Sequence, residues 1–325
     1  MIANLTDCQL RFNVSKPDVL VVAKLWPYLM EKLQAEFTVH DRTHESNATA
    51  FAAIAPRIRA ISGGGESKVN AELLANLPAL EMVSVFGVGY DGYDVSALKA
   101  RHLPLTNTPD VLTDDVADMG MALMLAVARR LPQNDAYLRA GKWLLAPAPL
   151  ARKMSGARLG IVGLGRIGLA IAKRAEGFGM SIAYTTRTQR KDVAYKYLPS
   201  PAALAAEVDF LMVITPGGAG TKGLINAEVL SALGQKGYLI NVARGSVVDE
   251  AALIRALDDG VIAGAGLDVF ENEPNVPQAL INRDNVVLSP HAASATLQTR
   301  KAMADLAFGN LQAHFSGKPL LTPIA

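Results

Sequence analysis

The stretch 158–168, RLGIVGLGRIG, constrains the fold of this chain more than any other. Strand-forming residues precede glycines at 163, 165 and 168, and the residues that follow have helical spacing. In a strand–turn–helix unit the first glycine permits a tight turn, the second lets the backbone approach a pyrophosphate, and the third lets the helix pack closely on the strand. A strand pattern over 181–185 completes a βαβ unit. The stretch predicts a dinucleotide-binding unit rather than a purely structural glycine turn.

Length and composition limit the class of protein. The chain has 325 residues, half of them hydrophobic, which is long enough for two domains. The net charge is +2 and no basic cluster is interleaved with aromatic residues, so we expect no nucleic-acid partner. The single cysteine, Cys8, excludes an internal disulfide, and without a second thiol or paired histidines we predict no metal site.

The sequence also carries expectations about location. The amino-terminal residues lack the basic region and apolar block of a signal peptide. The most apolar helix-like run, 119–127, is too short to span a bilayer. One cysteine fits a reducing compartment. We therefore expect a cytoplasmic protein without a membrane partner.

Strand and helix patterns alternate along 18–107, which predicts a parallel sheet with crossover helices. From residue 158 onward six strand patterns follow, the number in a complete doubly wound nucleotide domain. The predicted fold is α/β with two Rossmann-like domains. A smaller flavodoxin-like substrate domain comprises 1–106 and 293–325, and an NADP-binding Rossmann domain comprises 107–292.

A long apolar helix is predicted to begin at Thr113 as its cap and to end at Pro132. Because it is apolar nearly all round, we expect burial on more than one side, as a domain connector or at a subunit interface. The segment 141–149, GKWLLAPAP, places Trp143 and two leucines on a proline-rich arm. We predict an arm that forms a homodimer, in preference to packing within one chain.

Three polar residues follow strand patterns in the second half of the chain: Arg244, Glu273 and His291. Each has an ordinary alternative, as a surface ion pair, a solvated loop acid or a buried core histidine. Together they follow the carboxyl ends of successive strands in a predicted dinucleotide domain, where ligands of such sheets bind. We therefore predict that they meet in one cleft.

The chain resembles the D-2-hydroxyacid dehydrogenase family, most closely its glyoxylate, hydroxypyruvate and hydroxyphenylpyruvate reductase branch. The resemblance covers most of the chain from residue 83 onward. The motifs that carry it are NTPDVLTDDVAD (107–118), GLGRIG (163–168), LINVARGSVVDE (239–250), GAGLDVFENEP (264–274), LSPHAAS (288–294) and HFSGKPLLTP (314–323).

The resemblance implies that Arg244 holds the substrate carboxylate and carbonyl, that His291 is the acid/base and that Glu273 is the partner of the histidine. A guanidinium fork suits a carboxylate beside a ketone, and reduction of a ketone by hydride needs a proton donor within hydrogen-bond reach. A neighbouring carboxylate raises the pKa of a histidine, so reduction is expected to decline as pH rises through that value.

Further substrate contacts are implied at the carboxyl end of the strand pattern 82–86. The resemblance assigns the backbone amides of Val88 and Gly89 to the substrate carboxylate. Phe86 and Trp143 are candidates to narrow the substrate pocket or to stack on an aromatic substrate.

The cofactor is predicted to be NADPH, with NADH weaker. An NAD-specific site has an acid at the end of the second strand, whereas this chain has Thr186, Arg187 and Thr188, whose hydroxyls and positive charge suit a 2′-phosphate. The alternative is a basic surface turn. The resemblance implies further cofactor contacts at Thr113, Leu164, Gly165, Arg166, Ile167, Thr215, Pro216, Thr221, Val242, Ala243, Arg244, Asp268, His291 and Ser294.

The predicted function is NADPH-dependent reduction of small 2-keto acids, glyoxylate to glycolate and hydroxypyruvate to D-glycerate. One alternative is an aromatic 2-keto acid reductase acting on phenylpyruvate or hydroxyphenylpyruvate. Another, of a different class, is a dinucleotide-sensing binding protein of the co-repressor kind. Glu273 stands where formate dehydrogenases of this fold carry glutamine, which argues against formate oxidation, and the end at Ala325 argues against the long phosphoglycerate dehydrogenases.

Overall fold

A computed structural model describes residues 16–324. Cys8 and the amino-terminal residues considered above lie outside this range. The described residues form two compact units, one of 16–107 with 304–324 and one of Thr108–Met303. The chain returns from the second unit to the first between Met303 and Ala304, which is later than the predicted boundary between 292 and 293. The observed boundary falls inside a single long helix, which the sequence pattern gives no reason to divide.

The first unit contains a five-stranded parallel sheet. Its strands are β1 (Asp18–Val21), β2 (Thr38–Asp41), β3 (Ile58–Gly64), β4 (Met82–Phe86) and β5 (Leu105–Thr106). The order β2-β1-β3-β4-β5 is that of a flavodoxin-like sheet, as predicted. Every residue of β4, MVSVF, is buried, because a parallel sheet carries helices on both faces.

Short helices connect these strands. They are α1 (Pro27–Glu36), α2 (Thr43–Ser46), α3 (Ala48–Ile54), α4 (Ala71–Ala75) and α5 (Val95–Ala100). Asparagine or aspartate side chains cap three of them, since Asn47, Asn70 and Asp94 each accept the N–H three residues on. These polar residues fix where the helices start, and the apolar residues between them form the core of the unit.

The second unit contains a seven-stranded parallel sheet. Its strands are β6 (Arg158–Val162), β7 (Ser181–Thr185), β8 (Lys196–Tyr197), β9 (Phe210–Val213), β10 (Tyr238–Asn241), β11 (Gly264–Leu267) and β12 (Val286–Leu288). The order β12-β11-β10-β9-β6-β7-β8 is the doubly wound arrangement, and the order reverses between β6 and β9. The predicted fold class is confirmed. The six predicted strands are present, and the sequence reading missed only β8, a two-residue edge strand.

The second unit also contains helices. They are α6 (Thr113–Arg129), α7 (Leu131–Arg139), α8 (Arg166–Glu176), α9 (Pro201–Ala205), α10 (Ala227–Leu233), α11 (Glu250–Asp258) and α12 (Gln278–Ile281). Helix α13 (Leu297–Phe315) contains the division between the units. Short 3-10 turns occur at Ala55–Arg57, Lys142–Leu144 and Gly245–Val247. In the portion of the chain that the structure describes, no helix is long and apolar enough to cross a membrane.

The predicted ends of α6 were wrong in two respects. Thr113 is the first helical residue rather than the cap, which is Leu112, and no side chain of residues 16–324 caps the helix. Pro132 does not simply terminate the helix, because it occupies the first turn of α7, where a missing N–H costs nothing. Arg130, in left-handed conformation with φ 53°, makes the break between α6 and α7.

Helix α6 is buried on two adjacent faces, as its apolar pattern predicts. One face carries Val116, Gly120, Leu123 and Val127, and the other carries Ala117, Met121, Met124 and Ala128. A Cβ added at Gly120 would stand 3.2 Å from Cε of Met212 in β9, so the helix packs closely on the sheet. It thereby forms a rigid support beneath the strands that end at the candidate site.

Candidate active site

The glycine turn after β6 has the geometry that its sequence predicts. Gly163 has φ +99°, and a Cβ added there would lie 2.9 Å from the Ile214 carbonyl oxygen and the Thr215 nitrogen, which follow β9. A Cβ at Gly168 would lie 2.3 Å from the Gly163 carbonyl oxygen. Both glycines are therefore required for close backbone packing, at the point where the strand order reverses.

Gly165 differs from the other two glycines because an added Cβ would meet nothing within 4 Å. It is the N-cap residue of α8, and no side chain within the described residues caps this helix. The N–H groups of the first turn, including those of Arg166 and Ile167, are therefore available to an anion at the positive end of the helix dipole. The turn fits the pyrophosphate of a dinucleotide. Leu164 is buried, so only its backbone faces this turn.

The loop after β7 carries the residues predicted to bind a 2′-phosphate. The Thr186 hydroxyl donates to the Thr188 carbonyl oxygen at 2.7 Å, which closes a tight turn. Arg187 and Thr188 are exposed on this turn. Since a phosphate only accepts hydrogen bonds, Thr186 must release this internal bond before it can donate to one. Arg187 and Thr188 are therefore better placed than Thr186 to contact the phosphate.

The segment after β10 presents Arg244. Buried Asn241 shapes this segment, because its side chain accepts from the Ala243 N–H and donates to the Arg244 carbonyl oxygen, both at 3.0 Å. Arg244 Nη1 donates to the Ala243 carbonyl oxygen at 2.7 Å. A Cβ at Gly245 would lie 1.9 Å from the Phe270 carbonyl carbon, so the Arg244 segment is packed directly against the segment that leads to Glu273.

His291 and Glu273 form a hydrogen-bonded pair. Nδ1 of His291 lies 2.7 Å from Oε2 of Glu273, and Oε1 of Glu273 accepts the Phe270 N–H at 2.9 Å. Burial disfavours the charged form of Glu273, but the hydrogen bonds from His291 and Phe270, with the charges of His291 and Arg244, hold its pKa below the usual range. The carboxylate thus stays ionised and faces the histidine. The His291 side chain is 39% exposed, so the imidazole is accessible from solvent on the side away from Glu273.

Asp268, at the end of β11, holds the histidine loop in place. It is 1% exposed and accepts from the Ser289 hydroxyl at 2.5 Å and from the N–H groups of Ala292 and Ala293 at 2.8 and 3.0 Å. Its carbonyl oxygen accepts the His291 N–H at 2.7 Å. His291 itself has φ +50°, a conformation that such a network sustains. Sequence reasoning assigned Asp268 to the cofactor and missed this anchoring role, for which an aspartate directly after a strand was the only signal.

The other predicted cofactor residues lie at carboxyl ends of the same sheet or beside it. Thr215 and Pro216 follow β9, where the Thr221 hydroxyl donates to the Pro216 carbonyl oxygen at 2.7 Å. Val242 and Ala243 follow β10 and are buried, Ser294 follows the histidine loop, and Thr113 begins α6. Their contacts with a cofactor stay predictions.

The remaining substrate candidates divide between the two units. In the first unit Phe86 ends β4 and is 9% exposed, and Val88 and Gly89 follow it. The Val88 carbonyl oxygen accepts from Asn107 Nδ2 at 2.8 Å, which ties this loop to the end of the first unit. In the second unit Trp143 is 67% exposed on the 3-10 turn Lys142–Leu144. Their contacts with substrate also stay predictions.

The chain is similar to known proteins. Residues 121–293 match the family described as D-isomer specific 2-hydroxyacid dehydrogenase, NAD binding domain. Glyoxylate/hydroxypyruvate reductase A of Arabidopsis thaliana and hydroxyphenylpyruvate reductase of Plectranthus scutellarioides are each 48% identical over 307 residues, which cover 94% of this chain and 98% of each relative.

A solved structure is also similar to this chain in sequence and fold. The NADPH-dependent glyoxylate/hydroxypyruvate reductase of Sinorhizobium meliloti, in complex with NADP and malonate, is 50% identical, with a TM-score of 0.90 over 96% of this chain and 97% of that chain. The family predicted from the motifs is confirmed. On the matched family domain and on relatives that span nearly its whole length, the chain belongs to the D-2-hydroxyacid dehydrogenase family.

Proposed function

We propose that this protein reduces small 2-keto acids with NADPH, converting glyoxylate to glycolate and hydroxypyruvate to D-glycerate. The observation that carries the proposal is the 2.7 Å pair of His291 and Glu273 beside the Arg244 segment, in a unit whose glycine turn fits a dinucleotide. The names of the relatives from Arabidopsis thaliana and Sinorhizobium meliloti support the substrate class.

The residues divide the chemistry between them. Arg244 orients the substrate carboxylate and polarises the carbonyl, with the amides of Val88 and Gly89 as further proposed donors to the carboxylate. A bound nicotinamide supplies the hydride. His291, protonated and held by Glu273, donates the proton to the carbonyl oxygen, and the same residue accepts it in the oxidative direction.

NADPH is proposed over NADH because the loop after β7 offers Arg187 and the hydroxyls of Thr186 and Thr188 and has no acid before Asp192. Asp192 is paired with Arg190, so its charge is compensated. The NADP bound to the Sinorhizobium meliloti relative supports the same choice.

A second candidate function is reduction of aromatic 2-keto acids. It is favoured by the 48% identity with hydroxyphenylpyruvate reductase, which equals the identity with the glyoxylate/hydroxypyruvate reductase. Phe86 and Trp143 are the aromatic residues proposed to decide between a small and an aromatic substrate.

The test is a matrix of initial rates: glyoxylate, hydroxypyruvate, phenylpyruvate, hydroxyphenylpyruvate and formate, each with both nicotinamide cofactors. We expect the highest kcat/KM with hydroxypyruvate or glyoxylate and NADPH, and no turnover of formate. A higher kcat/KM with either aromatic acid would establish the second candidate, and turnover of none of the keto acids would refute both.

We also propose that the two domains predicted from the sequence have different main roles, with 107–292 binding NADP and 1–106 with 293–325 binding substrate. Further, we propose a cytoplasmic homodimer. Exposed apolar side chains on the arm after α7 support the dimer, because Trp143, Leu144 and Leu145 are 67%, 91% and 87% exposed. The single cysteine in 325 residues is consistent with a reducing compartment.

A further inference from the structure

The hydroxyl of a buried tyrosine, Tyr184, binds both the N–H and the carbonyl oxygen of Arg190 in the loop after β7. Tyr184, in β7, is 0% exposed. Its hydroxyl accepts the Arg190 N–H at 2.9 Å and donates to the Arg190 carbonyl oxygen at 3.1 Å. Because a tyrosine hydroxyl has one proton and accepts through its lone pairs, this arrangement satisfies it inside the protein. The backbone of Arg190 is therefore pinned to the sheet.

The Arg190 side chain extends from this pinned position to the glycine turn. Its Nη1 donates to the Leu164 carbonyl oxygen, between Gly163 and Gly165, at 2.6 Å. Its Nε donates to Oδ1 of Asp192 at 2.9 Å, and its Nη2 contacts the other oxygen of Asp192. The side chain of Arg190 is 28% exposed, whereas that of Asp192 is 66% exposed. Both the charge and the best donors of this guanidinium are thus used within the protein.

We propose that Arg190 is a positioning residue for the dinucleotide, one that ties the loop carrying Arg187 and Thr188 to the glycine turn and leaves the 2′-phosphate to those two residues. This inference rests on the proposed use of NADPH.

The geometry explains why a tie is useful here. The glycine turn and the loop after β7 lie 26 residues apart in the chain at Leu164 and Arg190, and each is irregular backbone. A ligand that contacts both gains affinity when they are already fixed at the right separation, since less ordering is left to binding. Asp192 keeps Arg190 aimed at Leu164 and cancels its charge. Without Arg190, the Asp192 carboxylate is left to repel a nearby phosphate.

The experiment compares Tyr184→Phe, Arg190→Gln, Arg190→Lys and the double variant Tyr184→Phe/Arg190→Gln with the native protein. Arg187→Gln serves as the matched loss of charge in the same loop. Two quantities are measured: the Kd of NADPH and NADH by nicotinamide fluorescence, and amide hydrogen exchange of the cofactor-free protein over 163–168 and 186–192. Peptides from β10 and β11 report whether the second unit of each variant is folded.

We expect Tyr184→Phe to weaken NADPH binding although it removes no charge, and Arg190→Gln to weaken it about tenfold. Arg190→Lys is not expected to restore binding, because a lysine lacks the fork that spans Leu164 and Asp192. The double variant is expected to have the same Kd for NADPH as Arg190→Gln alone, because the two side chains act on binding through the same contact of Arg190 with the glycine turn. Amide hydrogen exchange over 186–192 is expected to become faster in Tyr184→Phe and in Arg190→Gln. In Arg187→Gln we expect weaker NADPH binding with no change in this exchange rate.

The proposal is overturned if Arg190→Lys and Tyr184→Phe bind NADPH as the native protein does while Arg190→Gln does not, because Arg190 is then a direct charge ligand. Unchanged hydrogen exchange in Arg190→Gln overturns it as well, since the loop is then not held by this residue. A native protein that prefers NADH refutes the proposed cofactor, and the exchange measurement still decides whether the tie exists.

Discussion

At the scale of single residues, Glu273 and Asp268 hold His291 in position. Glu273 accepts from the histidine on one oxygen and from the Phe270 N–H on the other, so its orientation is fixed. Asp268 fixes the backbone of the same loop. Glu273 therefore orients the imidazole ring of His291, and Asp268 holds its backbone.

Glu273→Gln is expected to move the alkaline limb of the pH profile of reduction to lower pH, because the carboxylate favours the charged imidazole and glutamine does not. The pKa of Glu273 is lowered, so the carboxylate is ionised throughout the neutral range and the native profile does not show its loss there. The measurement is kcat/KM for hydroxypyruvate against pH.

Glu271→Gln is the matched control, since Glu271 is exposed and two residues away. Its profile should coincide with that of the native protein. An alkaline limb in Glu273→Gln at the native position would show that Glu273 does not tune the proton donor.

Arg187→Gln is expected to lower kcat/KM with NADPH about tenfold or more and to leave NADH turnover little changed, because a guanidinium–phosphate hydrogen bond is charge-assisted. Lys191→Gln, the same loss of charge on an exposed residue of the same loop, is the control. Equal losses in the two variants would indicate a diffuse basic surface rather than a phosphate contact.

At the scale of elements, Asp209 joins the start of β9 to β6. It accepts the Arg158 N–H at 2.9 Å and contacts the guanidinium groups of Arg158 and Arg152, and its side chain is 14% exposed. Hydrogen bonding by Arg158 is the main reason that the pKa of Asp209 is lowered, against the opposing effect of burial. Asp209 thus joins the amino-terminal ends of β6 and β9, whereas the glycine turn follows the carboxyl end of β6.

Asp209→Asn is therefore expected to lower the free energy of unfolding at pH 7 by about 1–3 kcal/mol. A group with a lowered pKa stabilises the fold above its ordinary value of 3.8 and loses that effect as pH falls through the folded value. The difference in Tm between variant and native protein should shrink toward pH 3. A pH-independent difference, or one no larger than that of exposed Asp259→Asn, would contradict this role.

Elements were predicted from sequence where packing repeats along the chain. Strand β9 is an uninterrupted buried apolar run, and β4 is buried throughout with one serine among its apolar residues, so the positions of both strands follow from the pattern. The strand β8 was not predictable from the sequence, because a segment of two residues has no periodicity. Pro132 gave an ambiguous signal, since proline suits both the end of one helix and the first turn of the next.

The candidate site was predictable for the same reason, up to a limit. Polar residues that follow successive parallel strands lie at the carboxyl ends of one sheet, which is why Arg244, Glu273 and His291 were predicted to meet, and the structure pairs His291 with Glu273. The contact of Arg190 with Leu164 was not predictable, because sequence fixes neither the direction of an arginine side chain nor which irregular segments meet. The anchoring role of Asp268 was missed for that reason too.

At the scale of the whole molecule, the arm after α7 leaves Leu144 and Leu145 91% and 87% exposed in a single chain. We expect the native protein to be a dimer in light scattering and Leu144→Asp/Leu145→Asp to shift it toward monomer, because charge on an apolar interface costs several kcal/mol. Leu297→Asp, at a 70% exposed leucine on α13, should leave the mass unchanged. A native monomer, or an equal effect of both changes, would refute the dimer arm.

We propose that His291 supplies the proton for NADPH-dependent reduction of a 2-keto acid. This proposal is tested most directly by comparing native protein with His291→Ala for the rate of NADPH oxidation by hydroxypyruvate, alongside NADPH binding by fluorescence. We predict that kcat falls by about 10²–10⁴-fold while the Kd of NADPH stays within a few-fold of native. A variant that keeps the native kcat, or a native protein that oxidises NADPH with no 2-keto acid, would show that His291 is not the proton donor of this reaction.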